Sequence, residues 1–175
     1  MACYLGVPPR SQPVLMSDPS TDKPTLIARF RELLVDRRAV LANEQAEARA
    51  GTRVDGDHRP ENRGERAAVT TQGYLAHGIH ARMRELDGML EALDAVSARP
   101  VDRVRAGALV ELEDEDGHTQ RILVLPGAQG DRLDDIVVIS PRAPLARALA
   151  GAAEGDVRTA RRRNENIDVE VVSVE

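Results

Sequence analysis

The densest chemistry in the chain lies between Arg53 and Gly64, which read Arg-Val-Asp-Gly-Asp-His-Arg-Pro-Glu-Asn-Arg-Gly. Asp55, Asp57 and Glu61 supply carboxylates, His58 an imidazole and Asn62 an amide, with Arg53, Arg59 and Arg63 among them. The stretch is short, polar and flanked by two long helical patterns. If those helices pair antiparallel, it is the tip of a hairpin, as far from the rest of the protein as the chain allows. A tip like that is built to reach something, and what it carries should decide the function.

Other candidates carry less. His77 and His80 stand at i,i+3 on a helical pattern, a metal-ligand spacing. No Cys and no acidic third ligand completes the set, so they read as exposed histidines. Arg161-Arg162-Arg163 reads as a solvated hairpin loop that could touch an acidic surface, and Glu113 to Asp116 as an acidic turn. Gly127 to Gly130 is no phosphate loop, since no Lys-Ser/Thr follows. There is no Gly-x-Ser-x-Gly and no Cys/His nucleophile pair.

Composition narrows the classes further. The 175 residues are 42% hydrophobic and 30% charged, which suits one or two small globular domains. Aromatic residues make up 2% and Trp is absent, too few rings for a stacking platform on single-stranded nucleic acid. The net charge of -5 gives no global attraction to phosphate, although a local basic patch stays open. Cys3 is the one cysteine, which excludes an internal disulfide framework and fits a reducing cytoplasm. No apolar run approaches the ~20 residues of a membrane span. The start lacks a basic region followed by an apolar core, so no secretory signal is expected.

The elements that must position the tip follow from periodicity. Residues 1–22 are rich in Pro and Ser without a hydrophobic period and are expected to be disordered; Met16-Ser17-Asp18 reads as an alternative start. A helix is expected from near Pro24, capped by Thr21 or Asp22, to Ala50 before Gly51. Leu26, Phe30, Leu33 and Val40 form its seam, with Ile27, Leu34, Leu41 and Ala48 beside them. The second helix is expected from Glu65 to Ser97, ended by Pro100. Its seam, Val69, Gln72, Ala76, Ile79, Met83, Leu86, Leu90 and Leu93, is spaced 3-4-3-4-3-4-3. Helices of about 27 and 33 residues make a coiled-coil hairpin of roughly 40 to 50 Å over residues 23–99, with its tip at 53–64. Such a hairpin usually inserts into, or lies along, a partner.

After a hinge at Pro100 to Arg105 the period changes to that of strands. Gly107 to Glu113, Thr119 to Leu125, Asp135 to Ser140, Val157 to Ala160 and Ile167 to Val174 alternate or run apolar, with a short helix at Pro144 to Ala152. Arg161 to Asn164 reads as a loop. The expected class is α+β: an N-terminal antiparallel coiled-coil hairpin, then, over residues 104–175, a small antiparallel sheet with one short helix laid across it.

At this point the residues carry a resemblance. Ile139-Ser140-Pro141-Arg142-Ala143-Pro144-Leu145-Ala146-Arg147-Ala148-Leu149-Ala150-Gly151, then Gly155-Asp156-Val157, resembles the C-terminal domain of the Gre family. These bacterial transcription elongation factors act through the secondary channel of RNA polymerase. The family pattern there is Ile-Ser, a Ser-Pro-Leu-Gly type turn, Ala-Leu, Gly, then Gly-Asp-x-Val; Ala143 and Ala146 replace the Ser and the Gly. In the hairpin, Glu61-Asn62, Ala67-Ala68, Gln72-Gly73-Tyr74 and Ile79 follow the family's spacing after its tip. The resemblance covers about residues 24 to 175.

The resemblance implies an FKBP-like C-terminal fold that docks on the polymerase core at the β′ subunit rim, with Ser140, Pro144, Leu145, Ala148 and Leu149 as the docking surface. The hairpin would enter the secondary channel, with Asp55, Asp57, His58, Glu61 and Asn62 as the effector tip and an indirect contact with nascent RNA. It implies a monomer, no membrane, no intrinsic metal or cofactor, and a regulator rather than an enzyme in its own right. In cleavage-stimulating members, tip carboxylates help hold a second Mg²⁺ in the polymerase, an ion that needs only one or two protein carboxylates. Prolyl isomerase activity is not expected, because the C-terminal module has no aromatic residue to line such a pocket. The nucleoside diphosphate kinase regulator type shares the sheet but has a shorter hairpin than this one.

The tip departs from the family. Cleavage-active members carry an Asp three residues before the Glu of Glu-Asn; here that position is His58, and Asp57 is one residue off. On a helix one residue turns a side chain by about 100°. Arg63, Gly64, Glu65 and Arg66 stand where the family has aromatic and acidic residues. Nearby guanidinium groups keep carboxylates ionised but compete with a metal for them. The expected function is a channel-binding regulator without strong cleavage activity. The alternative is an active transcript cleavage factor in which Asp57 and Glu61 help bind the second Mg²⁺.

Overall fold

The computed structural model describes residues 22–50, 63–162 and 165–175. The expected tail, apart from Asp22, and the tip from 53 to 62 lie outside them. The side chains of Arg63, Arg66, Val69 and Gln72 do too. The described elements are α1 (Lys23–Ala50), α2 (Arg63–Asp94), β1 (Leu109–Asp114), β2 (Thr119–Val124), β3 (Asp131–Leu133), β4 (Ile136–Ile139), α3 (Pro144–Leu149), β5 (Val157–Arg162) and β6 (Glu165–Val174).

The helices pair antiparallel. Arg31 binds Asp94 at 2.9 Å and Arg38 binds Asp87, so as α1 advances its partners on α2 recede. The seam keeps to the expected one at its root and departs from it farther out. Leu26, Phe30 and Leu34 are fully buried, whereas Val40 is 56% exposed. The reason is a second partner. At the root α1 packs against the sheet as well as α2, so the buried stripe follows both. Farther out only α2 remains, and the stripe narrows to Gln45 and Ala48.

The sheet has order β3-β4-β2-β1-β6-β5 and is buried on two faces. Alternation in β1 sends Val110 and Leu112 into one core and Leu109 into the other. β2 repeats this, with Ile122 and Val124 on one side and Leu123 on the other. The first core lies under α3 and includes Leu149, Ala160, Val169 and Val171. The second lies under the hairpin root, where Leu26, Phe30, Leu34 and Leu93 meet Leu123, Leu133, Ile136 and Val138.

Five expectations are corrected. The sheet is mixed: β2 and β4 run parallel, paired from Arg121↔Ile136 to Val124↔Ile139. The unexpected strand β3 explains this. The chain leaves β2 through residues 125–130, runs β3 down the outer edge, turns at Asp134 (φ 56) and returns as β4 between them. Three residues are too few to show a period of two. Second, α2 ends at Asp94, short of Pro100, because the chain turns there (Val96 N–H to Leu93 C=O, 2.9 Å) and tucks Val96 against the hairpin-side core. Third, the segment after Pro100 is pinned: Val101 and Val104 are buried, and Val104 N–H donates to Ala152 C=O at 2.8 Å. Fourth, Arg161 and Arg162 belong to β5, paired with Asn166 and Glu165, rather than to a loop. α3 is also shorter than expected, closing at Leu149 before Gly151 at φ 76.

Candidate functional site

Three parts of the molecule bear on function: the far end of the hairpin, the joint between hairpin and sheet, and the face that carries α3. The joint sets where the far end points. Gly127, at φ 80, lets the 125–130 loop close on α2, since a Cβ there would lie 2.9 Å from Met89 Cβ. Arg29 donates to both Asp134 carboxylate oxygens at 2.7 and 3.3 Å, and this partner holds the Asp134 carboxyl below its usual range. Arg37 donates to Asp131 at 2.6 Å, and Asp131 also accepts the Gln129 N–H at 3.0 Å. β3 is thus gripped at both ends by α1. From Met89 to the end of α2 at Arg63 is 26 residues, about 39 Å of helix beyond the joint.

The effector residues Asp55, Asp57, His58, Glu61 and Asn62 lie outside the described residues, between the ends of α1 and α2. The described surface of α2 exposes Tyr74 (76%) and Leu75 (54%). His77 and His80 are both exposed. Among the described residues they belong to no group of metal-ligating side chains. Asp114, Asp116 and His118 do approach one another. Their geometry is that of a turn: Asp114 Oδ1 accepts the His118 N–H at 2.9 Å, the Asp116 N–H at 3.1 Å and meets His118 Nδ1 at 3.2 Å. The His118 backbone bond is the main cause holding the Asp114 carboxyl below its ordinary value.

Of the residues expected to dock a partner, Pro144 is exposed and Ser140, Leu145 and Ala148 are half-buried. Ser140 Oγ accepts the Arg142 N–H at 3.2 Å and shapes the turn into α3, where Pro144 occupies the first helical turn. Leu149 is fully buried in the α3-side core. It holds the helix down and presents nothing to a partner, because on a six-residue helix over a sheet one face must pay for the core. Beside Leu145 a concavity of about 660 Å³ opens over the sheet, with Leu112, Ile167 and Val169 in its lining. Arg121, Arg132 and Arg161 stand around it with Glu111 and Asp135. Arg121 and Asp135 are 3.8 Å apart. Sequence reasoning did not single out this concavity, although the alternation in β1 and β6 places Leu112 and Val169 on the face of Leu145.

The sheet thus carries α3 on one face and the root of a long helical pair on the other. Comparisons with known proteins give the family. Residues 99–175 match the family described as "Transcription elongation factor, GreA/GreB, C-term". The chain is 34% identical over 144 residues to the transcription elongation factor GreA of Thioalkalivibrio sulfidiphilus, covering 79% of this chain and 83% of that protein. It is 31% identical over 153 residues to GreA of Xylella fastidiosa, covering 85% and 92%. The crystal structure of GreA factor homolog 1 (Gfh1) of Thermus thermophilus aligns with 83% of this chain and 94% of that one, at 22% identity and a TM-score of 0.38. The chain belongs to the GreA/GreB family of transcription elongation factors.

Proposed function

We propose that the protein regulates transcription elongation by docking on RNA polymerase through its α3-bearing face and inserting the hairpin tip into the secondary channel, without strong stimulation of transcript cleavage. The observation that carries this is the disposition of the hairpin. Its root is sunk in one face of the sheet, which leaves the outer surface of α3 on the opposite face, with Pro144, Leu145 and the neighbouring concavity, available to a partner. The far end of α2 stands about 39 Å beyond the joint. A reach of that length suits an active centre approached through a channel. The polymerase supplies the substrate and the first metal, so the protein acts as a regulator rather than an enzyme.

The tip composition favours the non-cleaving reading. Asp57 and Glu61 are the carboxylates on offer to a Mg²⁺ ion, in a stretch that also carries Arg53, Arg59 and Arg63. The test uses a stalled, backtracked elongation complex with 3′-labelled RNA, host polymerase and Mg²⁺. The expected result is no accelerated cleavage, together with competition against a known secondary-channel factor. Rapid 3′-end cleavage that an Asp57→Ala, Glu61→Ala double variant loses would overturn it in favour of an active cleavage factor. Neither cleavage nor competition would remove the polymerase as partner.

A further inference from the structure

Of the 24 lysines and arginines in the chain, Lys23 is the only lysine, and it is buried, with 4% exposure. Its Nζ donates to the Arg99 main-chain oxygen at 2.7 Å and to the Glu175 main-chain oxygen at 3.0 Å. Three distant parts of the chain meet there: the first residue of α1, the connection after α2, and the end of β6. Burying an ammonium is costly unless its donors are satisfied. Burial pushes its pKa down, the negative charge of Glu175 opposes this, and Arg105 adds to it.

The neighbourhood explains why a lysine stands here. Residues Ser97, Ala98, Arg99 and Pro100 are all exposed, and Pro100 has no N–H to give. Downstream, Val101 and Val104 are already anchored in the α3-side core. Glu175 is itself paired with β1 through Leu109, by bonds of 2.8 and 3.0 Å. The Lys23 ammonium therefore joins the hairpin root to the β1–β6 side of the sheet. The Arg29–Asp134 and Arg37–Asp131 pairs join the same helix to β3, three strands away and about 14 Å across. A compact ammonium with three donors can serve two converging carbonyls, where a planar guanidinium is longer and presents its donors as a fork.

We infer that Lys23 is the positioning residue that sets the angle at which the hairpin leaves the sheet. The hairpin-side core seats the root over β1, β2 and β4, and the β3 pairs hold one side of it; Lys23 holds the other side, and without it the root can turn on that core. The lever makes this matter. Each 10° at the root moves the far end of α2, about 45 Å away, by about 8 Å. Reacting groups tolerate errors of about 1 Å. The functional weight of the inference rests on the reading that the tip is the effector end.

The test measures a distance in the free protein, so it succeeds or fails independently of any polymerase experiment. In a Cys3→Ser background, spin labels at His77→Cys on α2 and Glu113→Cys on β1 report the hairpin angle by pulsed electron spin resonance. Both positions are exposed. Lys23→Met keeps the length and removes the donors. It is expected to shift or broaden the distance distribution by about 4 Å, since His77 lies about 24 Å along α2 from Leu93. A lowered thermal midpoint with an unchanged distribution would overturn the inference and leave Lys23 a merely structural residue. If Lys23→Met fails to fold, Lys23→Arg is read the same way: the fork is expected to move the distribution, and an unmoved one overturns the inference.

Discussion

Replacing Phe30 with alanine tests whether the hairpin and the sheet share one core. Phe30 is fully buried, and its cluster holds Leu26, Leu34 and Leu93 from the helices beside Leu123, Ile136 and Val138 from β2 and β4. Deleting a buried phenyl ring costs about 3–5 kcal/mol, the sum of lost transfer energy and the cavity left behind. For a chain of this size each kcal/mol moves the thermal midpoint by about 2–4 °C, so a drop of roughly 10 °C is expected. The location of the loss matters more than its size. Circular dichroism at 222 nm reports the helices, and amide exchange in β2 and β4 reports the sheet. Both should weaken together in Phe30→Ala. Val40→Ala, at a position 56% exposed, should change stability by no more than about 0.5 kcal/mol. Loss of helix with unchanged exchange in β2 and β4 would refute a shared core and return Phe30 to a seam between two helices alone. A Val40→Ala loss comparable to that of Phe30→Ala would refute the burial pattern itself.

Two further outcomes follow from the same geometry. Gln45 is buried in α1, and among the described residues its side-chain Nε2 has no hydrogen-bond partner, so Gln45→Leu should raise stability by about 1 kcal/mol or more in chemical denaturation; a loss instead would show that the amide is satisfied in solution. The Arg29 bond depresses the Asp134 carboxyl, so its stabilisation is present above the ordinary carboxylate value of about 3.9 and is lost as pH falls through the lowered value. Asp134→Asn, which tolerates the positive φ, should therefore flatten the fall in thermal midpoint below about pH 4, and an unaltered acid profile would exclude the pair as a contributor.

Much of this was legible in the residues. The 3-4 spacing from Ile79 to Leu93 and the alternation of β1 and β6 each report a local period, and a period survives whatever the element later packs against. The Ile139 to Gly151 run, Gly155-Asp156-Val157 and the hairpin residues after the tip, in order and register together, likewise carried the resemblance to the Gre factors. A period shows that one face is buried; it cannot show by what. Val40 keeps its place in the heptad yet faces solvent, because beyond the sheet only α2 packs against α1. Leu149 reads as helix surface beside Leu145, but the sheet beneath α3 claims it. β3 left no trace in three residues, and with it went the parallel pairing of β2 and β4, which depends on a strand inserted from outside. Lys23 illustrates the division most simply. Its type is plain in the sequence, but its two acceptors lie 76 and 152 residues away, and only folding brings those carbonyls to one ammonium. The sequence by itself determined every element but β3, the order of those elements and the charges at the tip. The tertiary structure decided which faces meet and the direction in which the hairpin is held, because both depend on contacts between residues far apart in the chain.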